Sequence, residues 1–281
     1  MRRAADWFLT GLFLLLVSPA FVLPYAWVVH GFGLTGRLLL PLLPAAARVR
    51  DNLRLVRPGA GPAEARALTA AVGDNGMRIL AEYIRMADFR ARSAARRVEG
   101  AEHLRRAVEG GRGAIIVSAH FGNWEAIRLA ARDAGLEVAL IYRAFNNRAF
   151  DAVALTRIRL AGEPVLHKGA EGSRRMLRHL KGGGAILVLL DQRIGGEARL
   201  PFLGVDAATT TVIAALARRL GAPMIPASAR READGLSFAV RFEAPVNGGD
   251  PVAVMRALND RMTAWVEAAP GQWFWLHRRW R

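Results

Sequence analysis

The sequence predicts an α/β protein, with a mostly parallel central sheet flanked by helices and an N-terminal membrane-anchor helix in front of it. Three observations carry this. From residue 113 onward, short continuous apolar runs alternate with segments of helical spacing, the pattern of strands buried on both faces. Four of those runs end in ionisable side chains, at the strand end where open parallel sheets bind ligands. Residues 7–29, WFLTGLFLLLVSPAFVLPYAWVV, carry no formal charge over their whole length.

The N-terminal stretch sets the first element. At ~1.5 Å of rise per residue it reaches ~35 Å, enough for a hydrocarbon core of ~30 Å. Trp7, Tyr25 and Trp27 stand where interfacial aromatics belong. Pro19 and Pro24 are the weak point, because proline can kink a span or turn it into a re-entrant segment. A cleaved signal peptide competes, with Arg2 and Arg3 as its basic region and Ser18-Pro19-Ala20 as a loose cleavage site. The apolar stretch runs well past that point and favours a retained anchor. Arginines flank both ends, so charge bias does not orient the segment. A second apolar run at 38–47, LLLPLLPAAA, is too short to span and suits the bilayer interface. The expected division is therefore an anchor and interfacial segment at 1–47 and the main domain at 48–281.

Residues 48–110 read as helical, with breaks at RPGAGP (57–62) and near Gly73 and Gly76. AIIVSA (114–119) is a buried-strand run, and WEAIRLAARDAG (124–135) is a helix closed by Gly135. EVALIYR (137–143) is the next strand, followed by a helix from about Asn147 to Leu160 and the strand PVLH (164–167). SRRMLRHLKGGG (173–184) is a helix leading by a glycine turn into AILVLLD (185–191). A loop comes next, then TTTVIAALARRLG (209–221) as a helix capped by its threonines. PMIPASAR (223–230) and SFAVRFEAP (237–245) are strands, and a helix over about 251–268 closes the domain.

Composition bounds the function. A chain of 281 residues, 52% hydrophobic and 23% charged, has ample material for a core and is not disordered. It carries 40 Lys+Arg against 24 Asp+Glu, for a formal charge of +16, and its lysines are Lys168 and Lys181 alone. The charge is thus almost all guanidinium, which suits phosphate and carboxylate, and its sign attracts anionic lipid, nucleic acid or an acidic carrier protein. With no cysteine, disulfides, thiolate nucleophiles and cysteine-based metal sites are excluded.

The chemistry gathers at the strand ends. His120 follows AIIVSA, Arg143 closes EVALIYR, His167 and Lys168 follow PVL, and Asp191 and Gln192 end AILVLLD. His120 and Glu125 are five residues apart and would lie ~140° apart on a continuous helix. They meet only if FGNW is a turn, which Gly122 permits, with Asn123 as N-cap of the following helix. A carboxylate on one imidazole nitrogen fixes the tautomer and leaves the other nitrogen to accept a proton. The plain alternative is a buried histidine beside a helix-start charge. No G-x-S-x-G surrounds a serine, and no second histidine stands at metal-ligand spacing from His120, so neither a serine nucleophile nor a metal is expected.

With these residues in order, the chain resembles the bacterial lipid A biosynthesis acyltransferases of lauroyl/myristoyl type, within the wider lysophospholipid acyltransferase group. The resemblance rests on the apolar N-terminus, RVRDNLRLVRP (48–58), H-x4-D/E as His120 to Glu125, and YRAFNN (142–147). It continues through DQ (191–192), LPFLG-ATTT (200–211) and APGQWFWLHRRW (269–280). It implies transfer of a fatty acyl group from an acyl carrier protein thioester to a hydroxyl of a lipid A precursor, without a cofactor, on the cytosolic face of the inner membrane. His120 would be the general base, and Glu125 or Asp191 its orienting acid; the sequence does not choose between them. Arg143 would contact anionic acceptor groups or the developing oxyanion. Asn123, Lys168, Gln192, Arg278 and Arg279 are further candidate substrate contacts. Both substrates are anionic, which agrees with the basic charge.

Two rivals stand beside this reading. One is the same chemistry on another acceptor, a phosphatidylinositol mannoside or a lysoglycerolipid. The other is a non-catalytic basic membrane-binding protein, which would have no need of His120 and Glu125. Nucleic acid is not expected as a partner, because the arginines are spread along the chain and no recognised nucleic-acid-binding motif is present.

Overall fold

The computed structural model describes residues 2–193, 198–246 and 249–280. Helices come first: α1 (Arg2–Val17), α2 (Tyr25–Leu39), α3 (Ala46–Val56), α4 (Pro62–Ile84) and α5 (Met86–Ala91). The alternating part follows with β1 (Arg96–Glu99), α6 (Ala101–Glu109), β2 (Ala114–Ser118), α7 (Glu125–Asp133), β3 (Val138–Tyr142), α8 (Arg148–Ala161), β4 (Val165–His167), α9 (Ala170–Lys181) and β5 (Ala185–Leu189). A hairpin of β6 (Ala198–Phe202) and β7 (Val205–Thr209) precedes α10 (Val212–Leu220), β8 (Met224–Arg231), β9 (Phe238–Phe242) and α11 (Pro251–Ala268).

The main sheet has the order β1-β9-β8-β2-β5-β3-β4, and every neighbouring pair is parallel except β8 with β9. Strand periodicity divides its side chains between two cores. Along β2, Ala114 and Ile116 enter one and Ile115 and Val117 the other; β5 repeats this with Ala185 and Leu187 against Ile186 and Val188. The first core is closed by α5, α6, α7 and α8. The second is closed by α3, α10, α11 and the tryptophans of the C-terminal tail, Trp273 and Trp275. Coverage of both faces is why these strands are continuously apolar.

The N-terminal stretch departs from expectation. No single helix among the described residues is long and apolar enough to cross a membrane. Pro19 sits in a 3-10 turn at Ser18–Phe21 and Pro24 precedes α2, so the uncharged stretch folds as two helices rather than one span. Residues Tyr25–Leu42 and Ala46–Val56 are long and apolar enough only when taken together, as a pair bent by 78°. Helix α2 packs on α4, and Val17, Ala20, Tyr25, Val28 and Val29 join the same core as the sheet. The outer side stays apolar: of the twenty exposed large apolar residues among those described, fifteen lie between Trp7 and Leu43. That concentration far exceeds the scattered exposure of an ordinary soluble surface.

Glycine at 73 is a contact rather than a break. Helix α4 runs unbroken through Gly73 and Gly76, and a Cβ on Gly73 would stand 2.1 Å from the Gly36 carbonyl oxygen of α2. The two backbones touch there, as only glycines allow. Strand β1 lies where a helix was expected; its RRVE sequence shows no strand periodicity and is recruited by parallel pairing with β9. The β6–β7 hairpin replaces the expected loop, turning at Leu203 and Gly204 with φ of 51° and 77°. Thr209 therefore ends a strand, and of the threonine run only the Thr210 hydroxyl accepts from the first turn of α10, at Val212 N–H.

Candidate active site

Parallel neighbours bring their carboxyl ends to one edge, so β2 and β5 set His120 and Asp191 side by side. The turn after β2 is held at its glycine. Gly122 has φ 56°, and a Cβ there would stand 1.7 Å from the Ala229 carbonyl oxygen. The C-terminal tail runs alongside, with the Phe274 N–H donating to the His120 carbonyl at 2.9 Å.

His120 Nδ1 lies 2.8 Å from Asp191 Oδ1, and the His120 backbone N–H donates to Asp191 Oδ2 at 2.9 Å. Trp273 Nε1–H donates to the same Oδ2 at 2.8 Å. Asp191 is fully buried. Burial alone would raise its carboxyl, but the adjoining imidazole of His120, through charge and hydrogen bonding, holds it well below the usual carboxylate range. An ionised Asp191 accepts, so Nδ1 of His120 carries the proton and Nε2 is the free base. Nε2 faces Gln192, whose amide nitrogen lies 3.2 Å from it and 3.1 Å from Nε2 of His277. Burial first, and then the neighbouring His120, lower the His277 pKa to about 4, so its imidazole is neutral.

Glu125 is elsewhere. Its carboxylate accepts from Tyr83 Oη at 2.9 Å and from Arg128 Nη1 at 2.8 Å, and His120 is not among its hydrogen-bond partners in the described residues. The helix begins by directing residue 125 back toward α4, away from the imidazole, and the buried Arg128 on the next turn neutralises it. Asn123, expected at the substrate, is instead wholly buried: its Oδ1 accepts from the Glu125 N–H in the manner of a cap, and its Nδ2 donates to Glu82. Glu82 pairs in turn with Arg231 of β8. This closed network clamps the turn from behind, where every polar group is satisfied within the protein.

The remaining candidates separate by burial. Arg143 and Lys168 are exposed at the ends of β3 and β4, on the edge that carries His120, and Arg278 is exposed on the tail. Arg279 is not at the surface. It is fully buried, donating to the Ala208 carbonyl at 2.7 Å and to Thr209 Oγ1 at 3.0 Å, so it ties the tail to the β6–β7 hairpin rather than meeting a substrate. Three contributors to the site escaped sequence reasoning: His277, Trp273 and Asn52. Asn52 Nδ2 donates to the Trp275 and His277 carbonyls at 2.7 and 2.8 Å. The one local signal for these is their place in the two quoted stretches RVRDNLRLVRP and QWFWLHRRW.

His120 also forms part of the wall of an apolar cavity of about 420 Å³, lined by Phe13 and Val17 of α1, Leu80 of α4, Phe150 and Ile158 of α8, and Trp124. Its apolar lining matches a hydrocarbon chain in character, with the imidazole of His120 as a polar group in the wall. Among the described residues, His120, Asp191 and His277 are the one group of three metal-type donors, with ligand atoms within 4.8 Å of one another. Each is already satisfied without a cation: Asp191 by three donors, the two Nε2 atoms by the Gln192 amide.

The sequence was compared with known proteins. A sequence family described as bacterial lipid A biosynthesis acyltransferase matches residues 1–281. The chain is 32% identical over 192 residues to a lipid A biosynthesis palmitoleoyltransferase of Escherichia coli (strain K12), covering 66% of this chain and 61% of that protein. It is 29% identical over 274 residues to a lipid A biosynthesis lauroyltransferase of the same strain, covering 92% and 87%. It is 26% identical over 192 residues to a phosphatidylinositol mannoside acyltransferase of Mycolicibacterium smegmatis (strain ATCC 700084 / mc(2)155), covering 64% and 60%. The match thus spans less than two thirds of the first and third of these relatives.

Proposed function

Because this chain belongs to the bacterial lipid A biosynthesis acyltransferase family, we propose that it transfers a fatty acyl chain from an acyl carrier protein thioester to a hydroxyl of a lipid A precursor. The observation that carries this reading is the His120–Asp191 pair set in the wall of an apolar cavity at the carboxyl edge of a parallel sheet. The acyl chain lies in the cavity with its thioester carbon at His120. Nε2 of His120 takes the proton of the acceptor hydroxyl as its oxygen attacks that carbon, and Asp191 stabilises the imidazolium that forms. Collapse of the tetrahedral adduct expels the thiolate, which recovers the proton from His120.

Glu125 belongs to the support of the turn in this scheme, not to the proton path. The exposed cations Arg143, Lys168 and Arg278 meet phosphate on the acceptor or on the carrier's prosthetic arm, as charge complementarity favours. The exposed apolar surface between Trp7 and Leu43 supports seating on the cytosolic face of the inner membrane, immersed in the interface rather than through a single spanning helix. A merely binding protein gains nothing from ionising a wholly buried carboxylate against a histidine, which costs desolvation.

The test is acyl transfer by membranes containing the protein, from radiolabelled acyl carrier protein or coenzyme A thioester, to a tetra-acylated lipid A precursor. Wild type transfers from the carrier protein, and His120→Ala loses ~10²–10⁴-fold at equal expression. Transfer only to a phosphatidylinositol mannoside or a lysophospholipid keeps the chemistry and discards the acceptor. Undiminished transfer by His120→Ala discards the mechanism.

A further inference from the structure

We propose that Gln192 is the hydrogen-bond donor to the developing oxyanion and that His277 is the positioning residue that fixes it, an inference that rests on acyl transfer through His120. An amide nitrogen has two N–H groups, and here it meets two imidazole acceptors, His120 Nε2 at 3.2 Å and His277 Nε2 at 3.1 Å. The first acceptor is secured from behind. The Asp191 carboxylate accepts from the Nδ1–H of His120, leaving Nε2 with its lone pair. Burial keeps His277 neutral, and the Gln192 amide at 3.1 Å selects the tautomer with the proton on Nδ1 and the lone pair on Nε2.

In the free site Gln192 therefore stands where the acceptor hydroxyl must come. When the hydroxyl takes over His120 Nε2, one amide N–H is released beside the bond being formed, and the other stays on His277. The thioester oxygen must lie within reach of that released donor, because its carbon lies within bonding reach of the hydroxyl oxygen. The electrons balance without another reactant. The hydroxyl proton passes to His120 Nε2, the O–C bond forms, and the carbonyl π pair moves onto the oxygen that Gln192 holds. The carbonyl then re-forms, the C–S bond breaks, and the thiolate takes the proton back from His120.

His277 is itself held firmly. Asn52 grips the Trp275 and His277 carbonyls, and the Phe274 N–H is bonded to the His120 carbonyl, so the tail and the His120 turn move as one piece. A charged His277 would lose its acceptor and would repel the imidazolium of His120, which gives its burial a chemical purpose.

The experiment uses the full chain in membranes, with acyl carrier protein thioester and lipid A precursor, and measures kcat, KM for each substrate, and the pH–rate profile. Gln192→Ala is expected to lower kcat by ~10²-fold with both KM values nearly unchanged, the cost of one oxyanion donor. Gln192→Glu, of the same shape but unable to donate from its carboxylate, does no better. His277→Leu loses ~10-fold, about one ordinary hydrogen bond. His277→Gln recovers most of that loss, since its amide oxygen can accept where Nε2 did, and it keeps the wild-type pH profile.

Three results overturn the proposal: Gln192→Ala acting on KM alone or not at all, His277→Gln as poor as His277→Leu, or a moved acid limb in His277→Gln, which would make His277 a proton carrier. His120→Ala is run beside them. Full activity there removes the general-base reading itself, whereas its loss together with a wild-type Gln192→Ala removes only the oxyanion donor.

Discussion

Replacing Asp191 by asparagine separates orientation from charge at this site. The carboxylate accepts three hydrogen bonds: one from His120 Nδ1–H, one from the His120 backbone N–H and one from Trp273 Nε1–H. The last two converge on one oxygen, so an asparagine keeps both by placing its amide oxygen there. Its NH2 group then faces His120 Nδ1 and requires a lone pair on that atom. The imidazole proton moves to Nε2, and the base that should take the hydroxyl proton becomes a donor. The equivalent substitution in a serine-protease triad costs about 10⁴-fold by the same tautomer inversion. A loss of ~10³–10⁴ in kcat is expected here, with KM little changed. Stability falls by about 2 kcal/mol for the lost charge-assisted bond, roughly 3 °C in Tm. Initial rates of acyl transfer and thermal unfolding of the same preparation read both. An asparagine variant within ~10-fold of wild type, with Glu125→Gln much worse, would refute Asp191 as the orienting acid.

Three further outcomes follow from other parts of the structure. Glu125→Gln leaves the buried Arg128 without its counter-charge, so thermal unfolding should show a loss of about 3 kcal/mol, with a rate defect per folded molecule smaller than that of Asp191→Asn. Gly73→Val drives a side chain into the Gly36 carbonyl and should undock α2, costing at least ~3 kcal/mol with new proteolysis near residues 18–24. Gly76→Ala, with open space around its Cβ, should instead gain up to ~1 kcal/mol. Acidification is the third. The His277 pKa lies at about 4 in the folded chain and near ~6.5 unfolded, so the unfolded state binds the proton first as pH falls. Stability should therefore be full above pH ~6.5 and decline by up to ~3 kcal/mol on the way to pH ~4, a slope that denaturant titration should find reduced in His277→Gln.

The sequence by itself determined the α/β class, the positions of β2 to β5 and of β8 and β9, and the edge on which His120, Arg143, Lys168 and Asp191 stand. Strands β2 to β5 and β8 have both faces covered and β9 alternates with one face buried, so each carries a local apolar signal, and a strand end is located once its strand is. Tertiary structure alone decided which residues meet. Asp191 and not Glu125 reaches His120 because β5 is the parallel neighbour of β2, a pairing across 71 residues that no local pattern encodes. His277 enters because the tail folds back onto that edge under the grip of Asn52, and Arg279 is drawn inward by the Ala208 carbonyl and Thr209 hydroxyl of a hairpin that reads as loop. The uncharged N-terminal stretch could be seen in advance, but its form could not. Two prolines divided it into two helices, and the docking of Gly36 on Gly73 set the second of them against α4.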